Sequence, residues 1–221
     1  MRTIRVTGKG QLKIHPNMTR ITITLTEVHK EYEEALKHSS EDTELVKDLL
    51  ANHGFKRTDL KTLNFNVDAE YESYRDHNEY KQRLTGYRYR HTMKVEFDSD
   101  NDRLGKILYA LARCELHPEF NISYTVKDQE AAKNELLGKA VADAKEKANV
   151  LANAAGLQLK GIQTVDYSWG EINMEVRPVG GMLRSNKMAA AEFDEEAAYG
   201  MDIEPDDITV SDTVTVVWEI G

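Results

Sequence analysis

One stretch of the sequence, residues 128–156, constrains the fold more than any other. Its small and aliphatic residues recur every three or four positions, which predicts an amphipathic α-helix with Asp128 as N-cap and Gly156 just past the end. Because the apolar stripe is mostly alanine, we expect a flat β-sheet to lie close against it; the alternative is a long surface helix. The stripe consists of Ala132, Leu136, Ala140, Val141, Ala144, Ala148, Leu151, Ala152 and Ala155.

Alternating apolar and polar residues predict the strands around this helix. Residues 4–14 alternate around Gly8-Lys9-Gly10, which predicts a short strand, a glycine turn and the start of a second strand. A first helix is predicted over 31–53, and a short helix capped by Ser99 or Asp100 ends near Cys114. The other predicted strands lie at 19–28, 63–71, 93–97, 120–126, 162–169 and 208–220.

These elements repeat along the chain. The order of strand, helix ending in glycine, strand, loop and strand occurs over 19–97 and again over 119–220. Leu-Ala-Asn precedes both Gly54 and Gly156, which favours a duplicated unit over chance similarity of helix ends. We therefore predict one domain over 1–221 with an α+β fold: two β-α-β-β repeats, with helices packed on one face of a largely antiparallel sheet.

The segment 170–207 differs from the rest of the chain because it has no sustained hydrophobic period. It contains glycines, a run of alanines, several methionines and a final acidic stretch. A loop of this length inside a compact domain is usually mobile or functional, and we predict a mobile one. The alternative is an enzyme, or a small-molecule-binding or metal-binding protein, whose pocket lies under this loop.

Composition limits the partners and the compartment. The formal net charge of −9 and the pI of about 5.3 disfavour binding to nucleic acid or to an anionic membrane surface. Cys114 stands alone, so neither an intrachain disulfide nor a cysteine-based metal cage is expected, and we predict a buried structural thiol. No apolar run is long enough for membrane insertion, and the first residues carry no export signal, which predicts a cytoplasmic protein.

No catalytic, cofactor-binding or metal-binding residue is predicted. The histidines show neither HxxxH nor HExxH spacing, and the acidic residues of 192–207 lack the ligand order of a calcium loop. Gly8 and Gly10 have no third glycine and no helix after them, so they do not form a dinucleotide-binding motif. We therefore expect a protein that is not an enzyme and needs no cofactor.

The hairpin over 63–97 carries the most concentrated surface feature. Interleaved acidic residues cancel much of its positive charge, which favours protein contact over nucleic acid; an ordinary solvated hairpin is the alternative. We predict a homo-oligomer with Tyr71, Tyr74, Tyr80, Tyr87 and Tyr89 in the interface between copies. The tyrosines and basic residues are Tyr71, Tyr74, Arg75, His77, Tyr80, Lys81, Arg83, Tyr87, Arg88, Tyr89 and Arg90.

Several motifs resemble the SIMPL-domain family, which includes YggE-like oxidative-stress proteins and a periplasmic immunogenic antigen. The resemblance implies a self-assembling fold, a stress-associated role of unknown mechanism and, for some members, ring-like or channel-like oligomers. Most members are exported, and Asn17 departs from the usual aspartate. The similar positions are Val6-Thr7-Gly8-Lys9-Gly10, Pro16, Gly86-Tyr87, Ala140, Ala144, Lys145, Lys147, Ala148, Leu151, Ala152, Gly156 and the closing strand Val214-Thr215-Val216-Val217-Trp218-Glu219-Ile220. We therefore predict a non-enzymatic, self-assembling protein.

Overall fold

The computed structural model describes residues 2–76, 79–167, 172–177 and 203–221, so most of the predicted loop lies outside the described residues. Contacts within the chain separate two compact units: unit 1 comprises residues 1–17, 124–176 and 205–221, and unit 2 comprises 18–123 with 177–204. The predicted α+β class is confirmed. The elements are β1 (Arg2–Ile14), β2 (Met18–His29), α1 (Tyr32–Asn52), β3 (Lys61–Asp76), β4 (Glu79–Asp98), α2 (Asn101–Ala112), β5 (Glu119–Thr125), α3 (Gln129–Ala154), β6 (Leu159–Asp166), β7 (Glu175–Val176) and β8 (Ile208–Ile220).

Unit 1 is a three-stranded antiparallel sheet, in the order β1-β8-β6, with α3 packed on one face. The α3 residues that face the sheet are spaced by four and are almost completely buried, whereas Leu151 and Ala155, which the predicted stripe included, are exposed. The buried residues are Ala132, Leu136, Ala140, Ala144, Ala148 and Ala152. Val6, Val214, Val216 and Trp218 form the sheet side of this core. The end of β5 belongs to this unit, where Tyr124 and Thr125 pair with β7.

The predicted glycine turn at Gly8-Lys9-Gly10 is wrong, because β1 runs through it as one continuous strand. The two glycines lie where the strand passes closest to α3. A Cβ at Gly8 would lie 2.1 Å from the Ala140 carbonyl oxygen, and one at Gly10 would lie 2.1 Å from the Leu136 oxygen. Glycine is therefore required for close approach between strand and helix rather than for a turn.

Unit 2 has a sheet in the order β3-β4-β2-β5, with α1 packed on β2 and β4. The β2–β4 and β3–β4 pairs are antiparallel. The apolar side chains of β2 and β4 that the helices cover are fully or nearly fully buried: Ile21, Ile23, Leu25, Met93, Val95 and Phe97. The strands of the described chain therefore form two sheets, and each helix α1 and α3 covers one face of its own sheet.

The ends of α1 and α3 share one hydrogen-bond pattern. The Phe55 N–H donates to the Leu50 carbonyl at 3.2 Å, and the Leu157 N–H donates to that of Ala152 at 2.9 Å. Gly54 and Gly156 adopt φ values of +81° and +70° between these partners, which is the Schellman arrangement. By this geometry Leu50 is equivalent to Ala152. The Leu-Ala-Asn motif instead predicts that Leu50 is equivalent to Leu151, one position earlier.

Candidate functional site

The β3–β4 hairpin extends beyond the rest of the sheet of unit 2. β2 pairs with β4 only from Tyr87 to Asp98, whereas β3 pairs with β4 out to the Asp76–Glu79 end. Residues 70–76 and 79–86 therefore form a two-stranded segment in which each strand has no other partner among the described strands. We call this segment the arm.

One face of the arm carries exposed aromatic and aliphatic side chains. The strand register places Tyr71 opposite Leu84, and Arg75 opposite Tyr80. Because directly paired residues lie on the same face of a sheet, Tyr71, Tyr80 and Leu84 share one face. Their exposed fractions are 59%, 82% and 48%. The arm therefore presents aromatic and aliphatic surface that nothing in the described chain covers.

Charges on the arm and at its base are paired within the hairpin. The Arg83 guanidinium donates to the Glu72 carboxylate at 2.7 Å and lies 5.8 Å from the centre of the Tyr74 ring. The Arg88 guanidinium donates two hydrogen bonds of 2.5 Å to Glu70, which lowers the pKa of that carboxyl group. These pairings leave the Arg83 and Arg88 guanidiniums less available to a phosphate backbone.

The five predicted interface tyrosines occupy different environments. Tyr71, Tyr74 and Tyr80 are exposed on the arm. Tyr87 is half-buried with its ring edge-on to Tyr32 at 5.6 Å, and Tyr89 is only 2% exposed. The interface assignment stays a prediction. We restrict it to the three arm tyrosines because Tyr89 is enclosed by its own chain and Tyr87 is half-buried against Tyr32. His77, predicted in the same cluster, lies outside the described residues.

Tyr89 instead borders a cavity of about 190 Å³ in unit 2. Its hydroxyl donates a hydrogen bond to Asp42 Oδ2 on α1. Burial, together with the Asp42 carboxylate, raises the pKa of Tyr89 far above its ordinary range, so the phenol stays protonated and remains the donor. The residues that line the cavity are Leu25, Thr26, Glu27, Asp42, Tyr89, Glu115 and Leu116.

The sequence prediction missed Asp42, although its position carried a signal. The buried positions of α1 are Ala35, Ser39, Asp42, Thr43, Val46 and Leu50, which follow helical spacing. An acidic residue on such a stripe is either paired or functional. Asp42 is 8% exposed, so it belongs to the core face and not to the solvated face.

His91 is a second buried polar group of unit 2, and both of its ring nitrogens are hydrogen-bonded to threonine hydroxyl groups. Thr43 Oγ1 donates to the Ser39 carbonyl at 2.6 Å, so it accepts from His91 Nδ1 at 2.9 Å. Nε2 is then the acceptor for Thr62 Oγ1 at 2.8 Å. Burial lowers the pKa of His91, which agrees with a neutral ring held between two hydroxyl groups.

The structure also locates other histidines and Cys114. In the described part of the chain, no group of three or more histidine, cysteine, aspartate or glutamate side chains is arranged to hold a metal ion. His29 stacks on His38 with ring centres 4.4 Å apart. Cys114 is half-buried just after α2, whereas a buried thiol was predicted. None of the described helices combines the length and apolarity needed to cross a membrane.

Comparison with known families agrees with the fold and the motifs. Residues 4–218 match SIMPL, described as a protein of unknown function (DUF541). The chain belongs to the SIMPL family. The predicted resemblance is therefore confirmed over nearly the whole length of the sequence.

Two similar proteins are called 26 kDa periplasmic immunogenic protein. The one from Brucella melitensis is 29% identical over 157 residues, which is 71% of this chain and 62% of the relative. The one from Brucella abortus is 28% identical over the same shares. The match thus spans less than two thirds of the relatives' own length.

The predicted cytoplasmic location is contradicted by these relatives, whose names place them in the periplasm. The prediction depended on where the printed sequence begins, and the first residue of a sequence carries no information about a segment that export removes.

Proposed function

We propose that this SIMPL protein is a non-enzymatic, self-assembling protein whose copies meet through the arm. The observation that carries the proposal is a two-stranded segment that has exposed aromatic and aliphatic side chains on one face and, among the described strands, no third strand beside it. Two-stranded hairpins are at best marginally stable alone in water, and they gain stability when another strand or surface covers them. The SIMPL description names no reaction, and no described group of side chains favours one.

Contact between copies removes two costs of the arm at once. Tyr71, Tyr80 and Leu84 would leave water together, and burial of aromatic and aliphatic side chains is the main favourable term in association. The outer edge of β3, which no other described strand pairs, would also gain a partner for its N–H and C=O groups, and an unpaired edge is an aggregation hazard. A closed, symmetric assembly satisfies both conditions.

A second copy fits the arm better than nucleic acid does. The net charge of −9 repels a polyanion at long range, and Arg83 is already paired with Glu72. The arm carries both acidic and basic residues, so two identical arms can place opposite charges against each other. A polyanion would have to displace the existing ion pairs before it could bind.

Two further parts of the proposal come from the family and its members. The periplasmic names of the Brucella relatives support export of this protein. The stress-associated role rests on the family resemblance, and survival of a deletion strain under peroxide tests it. The deletion strain is then complemented with the wild type or with the arm variant described below. If only the wild type restores survival, assembly is connected with the stress-associated role.

The self-assembly proposal is tested by light scattering after size exclusion. The wild type is compared with a Tyr71→Ser, Tyr80→Ser double variant, which removes the aromatic surface from one face of the arm. The control is Leu45→Ser with Val150→Ser, because these residues are 54% and 63% exposed outside the arm. We expect an oligomeric wild type and control, and an arm variant of lower mass. A monomeric wild type contradicts self-assembly, and an arm variant of unchanged mass contradicts the role of the arm.

A further inference from the structure

The cavity beside Asp42 contains a carboxylate whose charge is only partly compensated. Asp42 is more than nine-tenths buried, and its Oδ2 accepts the hydrogen bond from Tyr89. Among the described residues, no lysine, arginine or histidine forms an ion pair with Asp42, and its side chain lines the cavity. A buried carboxylate without a countercharge is costly, so this site favours a cation that also donates hydrogen bonds.

The size and walls of the cavity narrow the class of cation. Its volume of about 190 Å³ far exceeds the roughly 10–15 Å³ that one water requires. It is smaller than the roughly 300 Å³ at which pockets for drug-sized ligands begin. The walls combine Leu25 and Leu116 with the Tyr89 ring, and aromatic rings attract organic cations. Glu115 adds further negative charge at the lining, and Glu27 lies there with its carboxylate hydrogen-bonded to His29.

We propose that this cavity binds a small primary ammonium ion, with the ammonium group donating to Asp42 Oδ1. Leu25 and Leu116 suit the carbon part of such a ligand, whereas a bare metal ion requires several oxygen or nitrogen ligands that the described residues do not bring together. The site is independent of the arm, so assembly and binding can be tested separately.

Thermal unfolding of the full chain tests the proposal, with methylammonium chloride as the probe. Sodium chloride and tetramethylammonium chloride at equal ionic strength are the comparisons, because neither cation has an N–H group. A ligand that binds only the folded protein raises Tm by mass action. We expect a saturable rise of about 2–4 °C with methylammonium alone, which is the size of shift that modest stabilisation produces in a chain of this length.

Variants assign the response to the cavity. Asp42→Asn keeps an acceptor for Tyr89 but removes the charge, and we expect at least a tenfold weaker response to methylammonium. Glu34→Gln changes the net charge equally on the exposed face of the same helix and should respond like the wild type. Leu116→Phe keeps the carboxylate but narrows the cavity, and should also weaken the response. This variant keeps the test decisive if Asp42→Asn fails to fold.

Butylammonium chloride distinguishes the source of the ammonium group, because it has the length of a lysine side chain. A stronger response to butylammonium than to methylammonium indicates a lysine of another protein, and a weaker one indicates a small free amine; both support an ammonium site. The proposal is overturned if sodium chloride produces the same Tm rise, if no saturable rise occurs, or if Asp42→Asn responds like the wild type.

Discussion

Single residues of this protein have roles that sequence patterns predict only in part. Gly8 was correctly identified as a special position, but the reason assigned to it was a turn, and the structure shows close contact with α3. Asp42 has helical spacing with the core of α1, yet its acidic side chain drew no prediction. In both cases the neighbour that explains the residue is distant in sequence, and local periodicity carries no information about it.

Gly8→Ala tests the close contact. We expect a loss of about 1–3 kcal/mol in the free energy of unfolding, because the new Cβ would overlap the backbone of α3. Urea denaturation measures this loss. Gly161→Ala is the matched control on β6, where a Cβ meets nothing within 4 Å, and should change stability little. Equal midpoints for the two variants would contradict the contact.

Gly138→Ala predicts a change in the opposite direction. Gly138 lies inside α3, and a Cβ there would meet no atom within 4 Å. Alanine is favoured over glycine in a helix interior by about 1 kcal/mol, so the variant should be more stable than the wild type in the same urea experiment. A destabilised variant would show that this part of α3 is not packed as described.

His91 predicts a dependence of stability on pH. Its pKa is lowered in the folded protein, so the unfolded chain binds the proton more readily. Its contribution to stability is therefore complete above the unfolded pKa of about 6.5 and is lost as pH falls through the lowered folded value. The loss of urea midpoint between pH 7.5 and pH 5.5 should be smaller in His91→Gln than in the wild type. An equal loss in both proteins would assign the dependence to other groups.

At the scale of elements, the sequence patterns were most informative where one face is buried. Asp128 caps α3 as predicted, through a hydrogen bond from Ala131 N–H. Of the two predicted caps of α2, Asp100 is the one that accepts a hydrogen bond from Arg103 N–H. The long alternating patterns also predicted the two strands of the hairpin. Pairing partners were harder to predict, because period-two alternation is the same for any strand. The pairing of β1 with β8, which lie at opposite ends of the chain, has no local signal.

The shared geometry of the two helix ends predicts how replacing their glycines changes stability. Gly54→Ala and Gly156→Ala should each lower the free energy of unfolding by about 1 kcal/mol, because both residues have positive φ values that alanine adopts with difficulty. Circular dichroism during urea denaturation measures both variants. Neither glycine has a neighbour closer than 3.7 Å to a new Cβ, so a much larger loss would indicate a cause other than backbone conformation.

At the scale of the whole molecule, the two units correspond broadly to the two predicted repeats. Unit 2 contains the β2-α1-β3-β4 series, and unit 1 contains α3, β6 and β8 together with β1. The single domain remains a prediction, as does self-assembly. An interface between copies leaves only an indirect signal in one sequence, namely apolar residues that their own chain does not cover. That signal selected Tyr71 and Tyr80 correctly as exposed residues but could not separate them from the enclosed Tyr89.

Hydrogen exchange of the arm amides, residues 70–76 and 79–86, tests the central claim most directly. An uncovered two-stranded hairpin opens easily, whereas one covered by a second copy is protected. We predict slow exchange in the wild type at high protein concentration, and fast exchange both on dilution and in the Tyr71→Ser, Tyr80→Ser variant. Exchange of β2 amides should stay slow throughout. Fast exchange of the arm in the concentrated wild type would contradict an assembly formed through this surface.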